Sequence, residues 1–310
     1  MTSSYFRQII RFISKFLLIV SLTLVCDRGI GTILRYFYFR QESGAGYRTT
    51  YAIDSTVADI LILGSSRANH SYVPDIFEES LHYSFFNTGR EGNFIFYNYA
   101  IFKSVTGRYN PKLIIVDISP GELIYSVAEY EKLSLLLPYY KSHPEIGHIV
   151  DFKSPFEKVK LISAIYPYNS LILQIGMGNL DLNKERVSDN KGYVPIFKVM
   201  KNEKIDTAKI STCTIDENEI RALKDIISTC QQQKIDLIFV YSPIWSIIQD
   251  SFCNTILSEL CSVKGIRYFD LSNSPAFINN PDYFADIRHL NDEGARVFST
   301  MLIDKILQNN

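Results

Sequence analysis

The feature that most constrains the fold is a series of short apolar segments that alternate with helical patterns. The apolar segments have the length of single β-strands, and they lie at 59–64, 83–87, 112–117, 235–241 and 266–271. The helical patterns lie at about 74–82, 93–107, 216–233, 245–264 and 291–308. Strands that are apolar throughout and alternate with helices predict a parallel sheet covered on both faces. We therefore expect a three-layer α/β sandwich of about five parallel strands with right-handed crossovers.

One long segment, at about residues 121–212, interrupts this alternation. Two stretches in it, LIYSVAEYEKLSLLLPYY and FEKVKLISAIYPYNSLILQI, have helical character, whereas KGYVPIFK reads as an irregular loop. Its content of aromatic and apolar residues is more typical of a cap than of a linker. We expect one α/β domain over residues 57–310, with residues 121–212 inserted after its third strand.

The N-terminus carries an apolar segment of another kind, with the core FLLIVSLTLVC at residues 16–26. Arg11 and Lys15 precede this core, and their side chains can extend toward lipid headgroups. The helix that can lie in the membrane is then roughly 18–20 residues long, about the length needed to span it. A cleaved signal peptide and a buried core helix are the alternatives, but no A-x-A-like cleavage site follows. We favour a retained membrane anchor at 1–30, with a juxtamembrane connector at 31–56 that is too polar and turn-rich for a core.

Composition narrows the classes of partner and of site. The 310 residues carry 32 basic and 33 acidic side chains and a net charge of -1, without a Lys/Arg run that would track phosphates. Nucleic acid is therefore not expected as a partner. The cysteines are scattered along the sequence. A disulfide among the last four can form only if the domain lies outside the cytoplasm. They are Cys26, Cys213, Cys230, Cys253 and Cys261.

A polar stretch follows the first predicted strand directly, in the sequence DILILGSSR. Ligands of an open parallel sheet bind beyond the carboxyl ends of its strands, so Ser65 and Ser66 stand where function is expected. A serine in this place is often only a turn residue or a helix cap. The stretch alone therefore does not establish a nucleophile.

A second polar pair lies near the C-terminus, where FADIRHLNDEG places Asp286 and His289 directly before the last helical pattern. A serine nucleophile needs a base that takes its proton and a carboxylate that holds this base in the right tautomer. Three residues on a loop allow the carboxylate to reach its own histidine. The chain order Ser, Asp, His is a known arrangement of such a triad.

A third element closes the second predicted strand, in the sequence FFNTGREGNFIF. Gly89 and Gly92 offer backbone N–H groups with no side chain in the way. Such groups beside the end of the first strand can bind the oxyanion of an acyl-transfer intermediate. Two turn glycines that lead into a helix are the structural alternative.

Together these three elements resemble the SGNH hydrolases, also called GDSL-type esterases. The resemblance implies a flavodoxin-like sheet on which Ser66, the third residue of GSS, is the nucleophile. It implies that His289 is the base, that Asp286 orients His289, and that the N–H groups of Ser66 and Gly92 bind the oxyanion. It implies no metal and no cofactor.

The resemblance covers roughly residues 57–120 and 213–308, and one motif departs from it. The family has G-x-N-D after the third strand, where the asparagine completes the oxyanion hole, but this chain has VDISPGE. Asn93, directly after Gly92, is the candidate replacement. Loss of one oxyanion donor costs on the order of 2.7–4 kcal/mol of transition-state stabilisation. A catalytically inactive scaffold that binds glycan or a membrane partner therefore remains the alternative to an enzyme.

The remaining polar candidates are weaker. Arg67 is a candidate for binding a substrate carboxylate or phosphate, with an ion pair to the scaffold as the alternative. His70 is a candidate for a catalytic role through its proximity to the serines, with a structural loop histidine as the alternative. His82 and His148 each belong to an E-x-x-H without the second histidine of a zinc-peptidase helix. No cysteine and histidine cluster has the spacing of zinc ligands, and no phosphate-binding glycine motif is present.

The resemblance extends to membrane-anchored SGNH-type proteins of bacterial envelopes, several of which modify surface polysaccharides with acyl groups. We therefore expect a serine-dependent ester hydrolase or O-acyltransferase that acts on acylated envelope glycan or a related ester. We expect the catalytic domain on the extracytoplasmic, periplasmic side. Basic residues both precede and follow the anchor, so charge alone does not set its orientation. The sequence leaves the oligomeric state open.

Overall fold

The structure, a computed structural model, describes residues 2–180, 190–201, 205–209, 214–249 and 252–308. Its β-strands are β1 (Ile60–Leu63), β2 (Phe85–Asn87), β3 (Leu113–Asp117), β4 (Asp206–Lys209), β5 (Asp236–Tyr241), β6 (Ser246–Gln249) and β7 (Arg267–Asp270). The α-helices of the first half are α1 (Thr2–Phe39), α2 (Gly44–Asp54), α3 (Ser66–Ser71), α4 (Pro74–Leu81), α5 (Ile95–Thr106), α6 (Val127–Lys132) and α7 (Pro144–Val150). The remaining α-helices are α8 (Glu157–Lys160), α9 (Ile172–Asn179), α10 (Glu217–Gln233), α11 (Phe252–Lys264), α12 (Pro275–Ile278) and α13 (Asp292–Gln308). Short 3-10 helices lie at Pro120–Leu123, Leu133–Tyr139, Tyr166–Leu171 and Pro281–Tyr283.

The centre of the fold is a parallel sheet of five strands in the order β2-β1-β3-β5-β7. Each of the five apolar segments identified in the sequence forms one of these strands, so the predicted α/β class and strand number are confirmed. The strand order reverses between β1 and β3. In sheets of this kind ligands bind at the carboxyl ends beside that reversal, and this is where the polar stretch after β1 lies.

Both faces of the central strand β1 are buried, as its uniformly apolar sequence requires. On β1, Ile60 and Ile62 belong to the core beneath α4 and α13. Leu61 and Leu63 point to the opposite face and join the core beneath α5 and α10. Successive side chains of a strand point to opposite faces, so a strand covered on both sides has no polar position. The result is a three-layer sandwich.

The predicted helix at 245–264 is wrong over its first part. Residues Ser246–Gln249 form β6, which pairs in parallel with β4, and α11 begins only at Phe252. A short apolar run has no period that separates strand from helix, and here a partner strand inside the insertion determines the outcome. That partner, β4, also means that the insertion contains a strand, although none was expected there.

The connector expected at 31–56 is regular structure rather than a loop. α1 continues to Phe39, and the stretch GAGYRTTYAID is α2. Ala52 and Ile53 in α2 are fully buried. The polar side chain of Thr49 in α2 hydrogen-bonds the Tyr97 hydroxyl at 2.9 Å, so a polar sequence is accommodated inside the core. The expectation that this stretch was too polar for a core was wrong.

α1 is 38 residues long, which corresponds to about 57 Å. It contains one stretch long and apolar enough to cross a membrane. Every side chain from residue 5 to residue 26 is exposed, whereas Gly31 and Tyr38 are buried against the rest of the protein. The first part of α1 therefore projects from the body, and its last part belongs to the body.

The insertion is mostly helical where the structure describes it. Both stretches with helical character contain helices, among them α6, α8 and α9, and KGYVPIFK has no helix or strand. Residues 181–189, 202–204 and 210–212 of the insertion lie outside the described residues.

The cysteines of the described body are buried thiols. Cys230 and Cys261 are unpaired, and burial raises the pKa of each thiol to about 12, so neither is a thiolate at neutral pH. Cys26 is exposed on α1. Cys213 and the side chain of Cys253 lie outside the described part of the chain, so the open question of a disulfide extends to them alone.

Candidate active site

β1 ends just before the two serines, and close packing restricts the turn from this strand into α3. A Cβ on Gly64 would lie 2.5 Å from Ala68 Cβ and 3.0 Å from the Asp117 carbonyl oxygen. Only glycine lets α3 begin this close to the end of β3. Ser66 is the first residue of α3, so its N–H has no acceptor within the helix.

The loop after β2 lies alongside the end of β1. The Thr88 N–H donates to the Ile62 carbonyl at 2.9 Å, and the Arg90 N–H donates to the Gly64 carbonyl at 3.3 Å. Gly92 has a φ of +70°, a left-handed conformation that favours glycine, and no described residue accepts a hydrogen bond from its N–H. The Gly89 N–H is already bonded to Asn87 Oδ1 at 2.9 Å. Of the two glycines, Gly92 is the one whose donor is available.

A tight loop carries the two C-terminal candidates. Phe284 and Leu290 form an antiparallel bridge, and the Ala285 N–H donates to the His289 carbonyl at 2.9 Å. Inside the loop, Asp286 Oδ1 accepts the backbone N–H groups of Arg288 at 2.8 Å and of His289 at 3.1 Å. The D-x-x-H spacing thus turns the carboxylate back onto its own histidine.

The structure brings Ser66, His289 and Asp286 together in one hydrogen-bonded chain. Ser66 Oγ lies 2.8 Å from His289 Nε2. His289 Nδ1 lies 3.0 Å from each carboxylate oxygen of Asp286. Because Nδ1 faces an acceptor, it carries the ring hydrogen and leaves Nε2 free to accept the serine proton. This is the geometry of a serine nucleophile with its base and its orienting acid.

The electrostatic surroundings of the triad favour an ionised Asp286. Burial opposes ionisation of Asp286, but the N–H groups of Arg288 and His289 and the His289 ring hold the pKa of this carboxyl below its usual value. The side chain of His289 is 22% exposed and that of Asp286 is 49% exposed. The triad is therefore ionised at its acid end, and the serine at its other end is partly exposed.

Asn93, the candidate third oxyanion donor, is buried and closes its own turn. Its Nδ2 donates to the Glu91 carbonyl at 2.9 Å, and its backbone N–H donates to the Arg90 carbonyl at 3.2 Å. Its Oδ1 is buried without a partner among the described residues. The Asn93 side chain thus contributes to the shape of the Gly92 turn, and the hydrogen it gives to Glu91 is not available to a substrate.

Arg67 lies in an ion-pair network of the scaffold. Its guanidinium is 3.4 Å from Asp117 Oδ1 and 3.1 Å from Glu122 Oε1, and all three side chains are buried. The guanidinium carbon lies 5.1 Å from the centre of the Tyr241 ring. Arg67 thus makes the scaffold contact that was the alternative to substrate binding, and it anchors α3 to the end of β3.

The same network accounts for the departure after β3. Asp117 pairs with Arg67, and Glu122 Oε1 accepts both the backbone N–H and the hydroxyl of Ser119, at 3.0 and 3.1 Å. Burial raises the pKa of Glu122 to about 7, although the Arg67 charge opposes this. Asp117 and Glu122, in the stretch that lacks the family asparagine, therefore stabilise α3 through their ion pairs with Arg67.

His70 lies beside the triad, against the ring of His289. Its ring is nearly perpendicular to that of His289, with the ring centroids 5.5 Å apart. Its Nδ1 bonds the Val194 carbonyl at 2.6 Å, and its Nε2 lies 3.3 Å from Glu91 Oε1. His70 therefore contacts the base, the Gly92 turn and the insertion.

The insertion reaches the site through residues 190–201, which we call the strap. The Val194 N–H donates to the Asn69 carbonyl at 3.0 Å, three residues after Ser66. Farther along, Met200 N–H donates to the Phe284 carbonyl at 2.7 Å, and the Ile196 carbonyl accepts from the Asp292 N–H at 2.8 Å. The strap thus joins the serine side of the site to the histidine side. The only sequence signal for it was the apolar character of an apparently irregular loop.

His82 and His148 lie away from this cluster. His82 is the exposed C-cap residue of α4, in a left-handed conformation, and His148 is exposed on α7. In the described residues no group of three or more His, Cys, Asp or Glu side chains is placed to hold a metal ion.

Comparison with known proteins gives similarity to solved structures only. No protein-family model matches the chain, and no curated protein sequence matches it. A crystal structure of a "putative acylhydrolase" from Bacteroides fragilis is similar to it with a TM-score of 0.37 and 12% sequence identity, over 80% of this chain and 87% of the other. Similarity at this level carries no conclusion about activity, so the case for a function comes from the site itself.

Proposed function

We propose that the protein is an SGNH-type serine esterase or O-acyltransferase. The observation that carries this proposal is the chain from Ser66 Oγ through His289 to Asp286, with hydrogen-bond distances of 2.8 and 3.0 Å. It lies at the carboxyl edge of the parallel sheet, beside the strand-order reversal. A serine so placed with base and acid is the constellation of acyl transfer.

In the first half of the reaction, Ser66 Oγ attacks the carbonyl carbon of the ester while His289 Nε2 takes the hydroxyl proton. The ionised Asp286 stabilises the imidazolium that forms. The tetrahedral intermediate then expels the alcohol, which takes the proton from His289. In the second half, water or another hydroxyl group attacks the acyl-serine, with His289 again as the base. Hydrolysis and transfer differ only in this second nucleophile.

The oxyanion of the intermediate is bound by the N–H groups of Ser66 and Gly92. The first stands at the start of α3, and the second stands in a left-handed turn next to the end of β1. Two donors instead of the three expected in the family make the intermediate less stable. We therefore expect slow turnover of simple esters, since one missing donor costs on the order of 2.7–4 kcal/mol.

The substrate class that we propose is an acylated glycan of the cell envelope or a related ester. One feature supports an enzyme that works at a membrane, namely the exposed apolar part of α1. We propose that α1 anchors the chain and that the catalytic domain faces the extracytoplasmic, periplasmic side.

The alternative is an inactive scaffold that binds glycan or a membrane partner. One observation favours it, namely that the stretch VDISPGE has no asparagine, and that its Asp117 is paired with Arg67. The two proposals differ in the reactivity of Ser66, because only an activated serine reacts with a fluorophosphonate probe.

The test is covalent labelling of the full chain with a fluorophosphonate, followed by peptide mass mapping. We expect one labelled residue, Ser66, with loss of the label in Ser66→Ala and in His289→Ala. Ser65→Ala is the matched control and should label as the wild type does, because His289 contacts Ser66 and not Ser65. An unlabelled wild-type protein that is folded would favour the scaffold.

A further inference from the structure

The insertion exposes three large apolar side chains next to one another, which we call the insertion patch. Phe156 is 65% exposed, Val159 is 63% exposed and Ile162 is 63% exposed. They recur at every third residue along the turn that contains α8, where the Val159 N–H donates to Phe156 O and the Ile162 N–H donates to Val159 O. Residues three apart in such a turn lie on the same side. A cluster of this kind commonly marks an interaction surface.

Directly after the insertion patch, the chain is fixed to α1. The Asp27 carboxylate accepts the backbone N–H of Ala164 at 2.8 Å and that of Ile165 at 3.4 Å, together with the Ser163 hydroxyl. A Cβ on Gly31 would lie 2.5 Å from Ala164, so the helix and the insertion are in close contact there. These contacts define the level along α1 at which the patch lies.

The insertion then runs along α1 in the direction away from its N-terminus. Asn179 Nδ2 donates to the Phe37 carbonyl at 2.8 Å, ten residues beyond Asp27 and thus about 15 Å farther along the helix. Residues that follow Ala164 therefore lie progressively closer to the C-terminal end of α1. The patch, which precedes Ser163, lies at the level of Asp27, where the fully exposed stretch of α1 ends.

The exposed stretch of α1 indicates that the insertion patch faces a membrane. All side chains of residues 5–26 are exposed, and they include the apolar segment that is long enough to cross a membrane. Asp27 directly follows this stretch, so it stands at the boundary between the acyl chains and the headgroups when α1 is inserted. A surface fixed at this level meets the same boundary.

We propose that the insertion patch rests in the membrane that α1 crosses, as a second, interfacial contact. Phe156, Val159 and Ile162 lie among the outer parts of the acyl chains. Lys158, which is exposed and pairs with Asp151 at 3.3 Å, lies at the level of the headgroups. This inference rests on the membrane anchoring proposed above and not on the reactivity of Ser66. A single helix leaves the attached domain free to tilt, whereas two contacts fix the height and the orientation of the catalytic edge.

The test uses tryptophan fluorescence in the full chain, reconstituted into phosphatidylcholine and phosphatidylglycerol vesicles with or without bromine on the acyl chains. The variant is Phe156→Trp, and the signal of the buried Trp245 is subtracted with the wild type. Leu18→Trp, in the apolar stretch of α1, is the positive control. Val263→Trp is the matched negative control, since Val263 is 82% exposed on α11 in the α/β body.

We expect brominated lipid to quench roughly half or more of the emission at position 156, as at position 18, and to leave position 263 nearly unchanged. Quenching at position 18 without quenching at position 156 would overturn the inference and leave the anchor intact. A shielded position 156 in a particle that holds two copies would also overturn it, because a second chain would then cover the patch. If brominated lipid does not quench the emission at position 18, the membrane anchor and the interfacial contact are both wrong. The fluorophosphonate labelling of Ser66 does not depend on either.

Discussion

The imidazole of His70 meets the imidazole of His289 edge-on, with their ring centroids 5.5 Å apart. His70 is held in this position by the Val194 carbonyl of the strap, 2.6 Å from its Nδ1. The base of the triad is therefore supported by a residue from α3, which is in turn supported by the insertion. Side chains that hold a catalytic group in place affect rate through geometry.

From this contact we predict that His70→Ala lowers kcat/KM by about tenfold, because the His289 ring loses the packing contact that restricts its orientation. Ser66 should still react with a fluorophosphonate, since the triad itself is intact. His70→Asn keeps a donor near Val194 but removes the ring, so it should lose rate while retaining more thermal stability than His70→Ala. His148→Ala, at an exposed position of α7, is the control and should leave both quantities unchanged.

The Asp286 carboxylate faces His289 Nδ1 with both of its oxygens, which predicts the effect of removing its charge. Asp286→Asn should lower kcat by a factor on the order of 10³–10⁴, as loss of the orienting acid does in other triads. The loss should be somewhat smaller than that of His289→Ala, because the ring keeps its place. The control is Asp282→Asn, an exposed position nearby, which should turn over as the wild type does. Equal rates in the wild type and Asp286→Asn would exclude Asp286 from the mechanism.

The sequence was sufficient to predict the parts of the fold that depend on local pattern. Strands buried on both faces, such as β1, read as apolar runs, and a D-x-x-H loop brings its own carboxylate to its own histidine. Contacts made across the chain could not be read in this way. Arg67 adjoins Ser66 in sequence, but its partners Asp117 and Glu122 lie on another strand end and its turn.

The same limit explains the errors in the N-terminal region and the insertion. α2 is polar in sequence because Thr49 pairs with a buried tyrosine hydroxyl, a partner that no local pattern reveals. β6 is a strand because β4 pairs with it from within the insertion. The strap contacts His70 and Asn69 through backbone groups, which leave no signature in side-chain chemistry.

Glu219 gives a prediction about stability and pH. Its carboxyl is buried without a hydrogen-bond partner among the described residues, and burial raises its pKa from 4.5 to about 9, helped by the nearby carboxylate of Asp216. The native state therefore holds a proton that the unfolded state releases above pH 4.5. The free energy of unfolding should fall as pH rises through this window, by at most about 1.4 kcal/mol per pH unit.

Glu219→Gln removes this titration. We expect the variant to lose less stability than the wild type between pH 7.5 and pH 8.5, above the pKa of Glu122, as measured by denaturant unfolding. Glu217→Gln, at the neighbouring exposed position of α10, should keep the wild-type pH dependence. Parallel curves for the wild type and Glu219→Gln would mean that Glu219 is not protonated in the native protein.

The central claim is that Ser66 is a nucleophile activated by His289, and kcat/KM on an aryl acetate or an acetylated oligosaccharide tests it most directly. We predict that Ser66→Ala and His289→Ala each lower kcat/KM by a factor on the order of 10³ or more, and that the double variant is little worse than either. Ser65→Ala should stay close to the wild type, with folding of every variant checked by circular dichroism. A folded Ser66→Ala protein with unchanged turnover would contradict the claim.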